Sequence, residues 1–293
     1  MANITGVKRA KNLITNTFIN TGAKAYSRKD VLDIYEKFKS RWGLPFSTNQ
    51  IKFLEQTEKE NILNKISVEI SQSNIYKDLY YLGDASDEEI AVSIDNRAFL
   101  SHYSALYYHQ LTEQIPKEII ITIEDYQRIS PTTNTLTQDG IHNAFSKPQR
   151  ESNSVFNVRD TKVRIHKGKY TNETGVKKTG IKVTNIERTL IDIVVRLSYS
   201  GGLSEVIKAY QKAGEAKLIS INRLLNYLHK LDYTYPYHQC IGLIMEKTRL
   251  FNESQLSKIE SLGIKYDFYL AYGIENKEYD DRWRVFYPKN LFT

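Results

Sequence analysis

Several things are scarce in this chain, and each shortage closes off a class of protein. The 293 residues hold one cysteine, Cys240, which excludes an internal disulfide and any multi-cysteine metal site. Its neighbours, CIGLIM, mark it as a buried structural thiol rather than a nucleophile. Six prolines and 14 glycines leave no long linker or low-complexity tract, and no internal repeat is present. No window reaches the ~18 apolar residues of a membrane span, and the opening MANITGVKRAKN has no apolar h-region. A cytoplasmic protein without a membrane partner is therefore expected. The phosphate-loop, dinucleotide, nucleophile-elbow and zincin signatures are all missing, and no cofactor is expected.

What is present fits a soluble globular chain, 41% hydrophobic and 26% charged, long enough for one large domain or two ordinary ones. The net charge of +7 is unevenly spread. Residues 1–52 carry 10 Lys/Arg against 3 Asp/Glu, residues 78–125 carry 2 against 10, and residues 147–182 carry 10 against 3. Basic blocks on folded elements are the footprint of a polyanion partner, or else a solvated lysine-rich surface.

Apolar spacing predicts a helix over 7–19 and a second after Ser27, with Ser27 as N-cap and Asp30 completing a capping box. Gly43 fits the residue just past that helix. A third helix is expected to start at Ser47 or Thr48. KISVEI and IYKDLYYL read as a hairpin around the turn at 71–74. Helix, helix, helix, hairpin is the order of a winged helix-turn-helix. A short acidic helix follows, and a domain boundary is expected near Asp95. Beyond it the pattern predicts a helix over 99–110, strands at 117–123, 154–159, 162–167 and 181–183, and a helix at 137–145. Thr184 and Glu187 are expected to box the next helix. Further helices near 202–213, 220–231, 236–248 and 252–261 precede two aromatic strands. The expected fold class is α+β: an N-terminal winged helix-turn-helix (1–95), then a larger mixed α/β domain with a helix-wrapped sheet (96–293).

Candidate chemistry is sparse. His102 and His109 share one helix face, but no carboxylate or cysteine completes a metal set, so both read as framework. Gly201-Gly202 reads as a helix start. Asp160-Thr161-Lys162, the nearest local match to a nuclease motif, sits in a hairpin turn, where aspartate is ordinary. Most of the 21 tyrosines fall at helix or strand spacing and read as packing. No catalytic residues are assigned.

Several blocks then agree in order: LSHYSALYYHQLTEQIPKEIIITI from residue 100, VTNIERTLIDIVVR from 183, SYSGGLSEVIKAY from 198, LDYTYPYHQCIG from 231, and DFYLAYG with WRVFYPKNL near the end. Together they resemble the C-terminal domain of AbiEi-type antitoxins of bacterial abortive-infection toxin–antitoxin pairs. The first 95 residues match by layout. The resemblance implies a repressor of its own operon that binds upstream inverted repeats in double-stranded DNA. It also implies a cognate nucleotidyltransferase-type toxin, opposed without a stable complex.

In a winged helix-turn-helix the second helix of the motif enters the major groove by its N-terminal part. Asn49 and Gln50 are then placed to read adenine edges and Lys52 to meet phosphate, while Ser47 and Thr48 serve as caps or as DNA contacts. Arg28 and Lys29 open the preceding helix, where cations and exposed amides suit a phosphate. Gln72 and Asn74 at the hairpin tip are placed for a minor groove or form a plain turn. The second basic block holds Arg159, Lys162, Arg164, Lys167, Lys169, Lys177 and Lys178. It is expected to extend the DNA contact or to meet another polyanion. Two rivals stand beside this reading: a nucleic-acid-acting enzyme, nuclease or nucleotidyltransferase, with a DNA-binding module, and an antitoxin that acts purely by binding protein.

Overall fold

The structure is a computed structural model that describes residues 5–126, 135–177 and 180–292. The protein is mixed α+β. Its chain opens with α1 (Gly6–Arg9), α2 (Lys11–Ile19), β1 (Ala25–Ser27), α3 (Arg28–Phe38), α4 (Gln50–Lys59), β2 (Asn64–Ile70) and β3 (Ile75–Tyr81). The helix expected over 7–19 is broken at Ala10, which leaves helical geometry. At α3 the capping box is present: Asp30 N–H donates to Ser27 Oγ at 3.2 Å and Ser27 N–H to Asp30 Oδ2 at 3.0 Å. Gly43 sits at φ +62°, a conformation glycine adopts without penalty. The next helix starts later than expected, at Gln50, because Asn49 is its cap: Lys52 N–H donates to Asn49 Oδ1 at 2.9 Å.

β1, β3 and β2 form an antiparallel sheet in that order. β1, unforeseen, is three residues long. It is fixed by its partner strand and by Tyr26, whose hydroxyl donates to Phe18 O and Ala23 O. The core of this region joins Val7, Phe18, Tyr35, Trp42 and Phe53. Trp42 stacks on Phe53 at 5.5 Å and donates from Nε1 to Thr17 Oγ1.

α5 (Asp87–Val92), boxed by Ser86 and Glu89, leads into β4 (Ala98–Leu100), α6 (His102–Tyr108), β5 (Ile119–Glu124), α7 (Gln138–Phe145), β6 (Val155–Val158), β7 (Thr161–Gly168), β8 (Val176–Lys177) and β9 (Val183–Thr184). The strands form one mixed six-stranded sheet, ordered β6-β7-β5-β4-β9-β8. The helix expected over 99–110 is split. Its first residues are the fully buried strand β4, pairing with β5 and β9, because sheet pairing outweighs a helical period in so short an apolar run.

The boundary near Asp95 falls inside a shared core. Val68, Ile70 and Leu79 of the hairpin, Ile90 of α5, and Ile121 and Val163 of the large sheet pack in one cluster. At the hairpin tip, Ser71 N–H donates to Val155 O at 2.9 Å and Ser71 Oγ donates to Asn153 O at 2.9 Å.

α8 (Ile186–Val195), α9 (Leu203–Glu215), α10 (Ile221–Leu231), α11 (Tyr237–Thr248) and α12 (Glu253–Glu260) follow. The large core of this half lies among α8, α9, α10 and α11. Asn185, not Thr184, caps α8. Gly201 and Gly202, at φ +75° and +91°, turn the chain into α9. A small sheet, β10 (Phe268–Tyr269), β12 (Val285–Pro288) and β11 (Lys277–Asp280), closes the chain. Gly242 on α11 lets the Trp283 ring lie against the helix backbone. A Cβ there would stand 2.1 Å from Cζ3.

Candidate functional site

Two regions carry the candidate residues. The first is the exposed edge formed by the starts of α3 and α4. Arg28 and Lys29 occupy the first turn of α3, exposed. At α4, Ser47, Asn49, Gln50 and Lys52 are exposed, whereas Thr48 is buried and its carbonyl accepts the Tyr35 hydroxyl at 2.5 Å. Asn49 is engaged through Oδ1 as the helix cap. Gln50 donates from Nε2 to Glu36 Oε1 at 2.8 Å, tying α4 to α3. Phe46 and Ile51 are exposed on the same stretch. Gln72 and Asn74 are exposed at the hairpin tip with φ of +71° and +48°, the geometry of a tight turn.

The structure divides the second basic block. Arg159 donates to Asp87 Oδ1 at 2.5 Å and to Ala85 O at 3.2 Å, and its guanidinium lies over Tyr81. It is a strut between the hairpin, α5 and the large sheet. Arg164 meets Glu118 through two nitrogens at 2.7 and 3.0 Å, and Lys162 meets the same carboxylate at 3.4 Å. One carboxylate thus occupies Arg164 and offsets half of the combined charge of the two cations. Lys177 ends β8 and is exposed, while Lys178 lies outside the described residues.

Lys167 and Lys169 instead reach the second region, a cleft of about 650 Å³ in the C-terminal half. Four elements build it: the end of β7, the end of α7 with the segment to Arg150, the inward face of α8, and the loop between α10 and α11. α8 buries four polar residues, Glu187, Arg188, Thr189 and Asp192; of these, Arg188 and Asp192, one turn apart, face the cleft. Arg188 Nε donates to Asp192 Oδ1 at 2.7 Å and one terminal nitrogen donates to Thr174 O at 2.7 Å. Burial opposes the guanidinium charge, but Asp192 more than restores it. Burial pushes Asp192 above the ordinary carboxylate value against the pull of Arg188. Asp192 Oδ2 has no hydrogen-bond partner among the described residues.

Beside this pair runs a chain of hydroxyls and imidazoles. His102 Nδ1 is hydrogen-bonded to Ser101 Oγ at 2.9 Å, Ser101 Oγ to Thr122 Oγ1 at 2.7 Å, and Thr122 Oγ1 to His166 Nδ1 at 3.2 Å. The two rings lie edge to face at 5.0 Å and both abut Tyr199. His102, at φ +51°, sits in the left-handed region at the β4–α6 junction. Burial lowers His166 to about 4, with Arg196 and Arg188 adding repulsion. Burial likewise holds His102 well below its ordinary value. Both rings are neutral at pH 7. His109 is framework: its Nε2 bonds Thr184 O at 2.6 Å and pins α6 to the start of α8. His102 belongs both to the core and to the cleft wall.

Lys147, Arg150, Lys167 and Arg196 face the cleft, and among the described residues none has a carboxylate partner. Tyr233, Tyr235 and Tyr272 line the same cleft, with Tyr272 stacked on Phe145 at 4.2 Å. The cleft lining thus combines cations with tyrosines. Sequence reasoning passed over Arg188, Asp192 and Arg196. For Arg188 and Asp192 the signal was an Arg–Asp pair at i, i+4 in the apolar-rich run IERTLIDIVV. Cys240 is buried, burial pushes its thiol well up, and it donates to Tyr269 O. Among the described residues no cluster of three or more His, Cys, Asp or Glu is placed to hold a metal ion, and no helix is long and apolar enough to cross a membrane.

No protein-family model matches the chain, and no curated protein does. Its fold is similar to the crystal structure of the RV2827C protein from Mycobacterium tuberculosis, with a TM-score of 0.51 at 11% identity, over 95% of this chain and 90% of that one.

Proposed function

We propose that the protein is an AbiEi-type antitoxin whose N-terminal region is a winged helix-turn-helix repressing its own operon. The observation that carries the reading is the α3–α4 edge. Two packed helices, backed by the β1-β3-β2 sheet, leave the first turn of the second helix open to solvent. Gln50 and Lys52 stand on that turn with Phe46 and Ile51 beside them. An amide reads an adenine edge, an apolar side chain meets a thymine methyl, and a lysine meets phosphate. Arg28 and Lys29 at the start of α3 add sequence-independent phosphate contacts. The hairpin tip is held by Ser71 against the C-terminal half, so in this reading the wing and the large sheet dock on DNA as one unit.

The C-terminal half then supplies antitoxin activity towards a nucleotidyltransferase-type toxin, without a stable complex. Co-expression tests this part. The full chain is expected to relieve the growth arrest caused by the toxin encoded beside it, without co-purifying with it. Growth arrest undiminished by the co-expressed chain would contradict the antitoxin assignment.

A further inference from the structure

The cleft between β7, α7, α8 and the α10–α11 loop draws none of its lining from residues 5–95, so the DNA-binding reading leaves it unused. We infer that it binds a nucleoside phosphate, either a free nucleotide or the terminal nucleotide of an RNA strand. This goes beyond the antitoxin assignment and does not depend on it.

The cationic lining is assembled, not incidental. Lys147 and Arg150 come from the segment after α7, Lys167 from β7, and Arg188 and Arg196 from α8, so residues distant in sequence converge on one hollow. A solvated lysine run would spread along one element. Arg188 forms the floor. Its Nε is fixed by Asp192 and one terminal nitrogen by Thr174 O, which leaves the other terminal nitrogen without a partner among the described residues. A guanidinium already locked in place loses little entropy when a phosphate oxygen arrives.

The tyrosines of the cleft supply what inorganic phosphate alone would not use. Tyr235 is braced by Phe145 at 5.3 Å and by Phe268 at 6.1 Å, and Tyr233 and Tyr272 stand near it. Half-buried tyrosines held by packing are stacking platforms for a base. Asp192 Oδ2, an acceptor of the cleft lining with no partner among the described residues, suits a sugar hydroxyl rather than another anion. The volume falls in the range of small-molecule sites.

The test uses the full chain in equilibrium filter-binding with radiolabelled ATP and with a labelled single-stranded RNA 12-mer, and inorganic pyrophosphate as competitor. Saturable binding is expected for ATP, for the RNA, or for both, with pyrophosphate competing at least about tenfold more weakly than ATP. RNA binding about tenfold tighter than ATP would identify the strand end as the ligand; equal or weaker RNA binding would identify the free nucleotide. The triple variant Lys147→Ala/Arg150→Ala/Lys167→Ala, all exposed positions, is expected to weaken binding by about tenfold or more, and Tyr235→Ala by about fivefold. Arg28→Ala/Lys29→Ala should leave ATP binding unchanged, which separates the cleft from the DNA-binding edge. Thermal melts of each variant report that it is folded. No saturable binding of either ligand up to about 1 mM would overturn the inference. So would pyrophosphate competing as well as ATP, or binding indifferent to the triple substitution.

Discussion

Arg188 Nε lies 2.7 Å from Asp192 Oδ1, one turn along α8, with both side chains about 5% exposed. A charge pair in such a place is held by mutual need. Removing one partner leaves the other charged, buried and unpaired, which costs about 3–5 kcal/mol, whereas replacing both by apolar groups is often neutral. Arg188→Met alone is therefore expected to destabilise the protein by about that amount, and Arg188→Met/Asp192→Leu by much less. Urea unfolding of the two variants measures this. Equal losses would mean that Thr174, rather than the pair, governs the site.

The two neutral histidines set an acid limit on stability. His166 has a native value near 4, below the ~6.5 of an unfolded chain. The unfolded state thus binds the proton first, and the contribution of His166 is present above about pH 6.5 and lost as pH falls towards 4. His102 acts in the same direction. The shift of His166 corresponds to about 3 kcal/mol over that window. Urea midpoints compared at pH 7 and pH 4.5 are expected to drop, and His166→Gln to flatten the drop. An unchanged pH dependence in that variant would place the acid sensitivity elsewhere.

Asn49 allows capping and DNA contact to be separated. Asn49→Ala removes the acceptor for Lys52 N–H and is expected to cost about 1 kcal/mol. Asn49→Asp keeps that acceptor and so keeps stability, but it replaces an amide by a negative charge at the turn proposed to meet DNA. Retained melting temperature with weakened DNA binding is the expected result. DNA binding unaffected by Asn49→Asp would reduce Asn49 to a cap.

Arg159 and Arg164 are basic in sequence but occupied in the structure. Substituting either by alanine is expected to leave the salt dependence of DNA binding unchanged, whereas Lys52→Ala should lower its slope by about one. A slope that falls with Arg164→Ala would show that Glu118 releases it on binding DNA.

Much of the local architecture was legible in the sequence. The Ser27–Asp30 capping box, the hairpin at 71–74 and the helices from α7 onward follow from capping chemistry and apolar period, which act within a few residues. β1 and β4 were not legible, because three-residue strands are defined by partners such as Tyr80 and Ile121 that lie far away in sequence. For the same reason the sequence could not distinguish a free arginine from one facing Glu118 or Asp87. Nor could it bring Lys147, Lys167 and Arg196 to one cleft. Arg188 and Asp192 carried a readable signal, as an Arg–Asp pair at i, i+4 in an apolar-rich helix.

The most direct test of the account is a gel-shift titration of the full chain on the DNA upstream of its own gene, beside a scrambled fragment, at two salt concentrations. The account predicts tight binding that prefers the upstream fragment, falls steeply with salt, and is weakened by Arg28→Ala/Lys29→Ala and by Lys52→Ala. Equally weak binding to both fragments, indifferent to those substitutions, would contradict it.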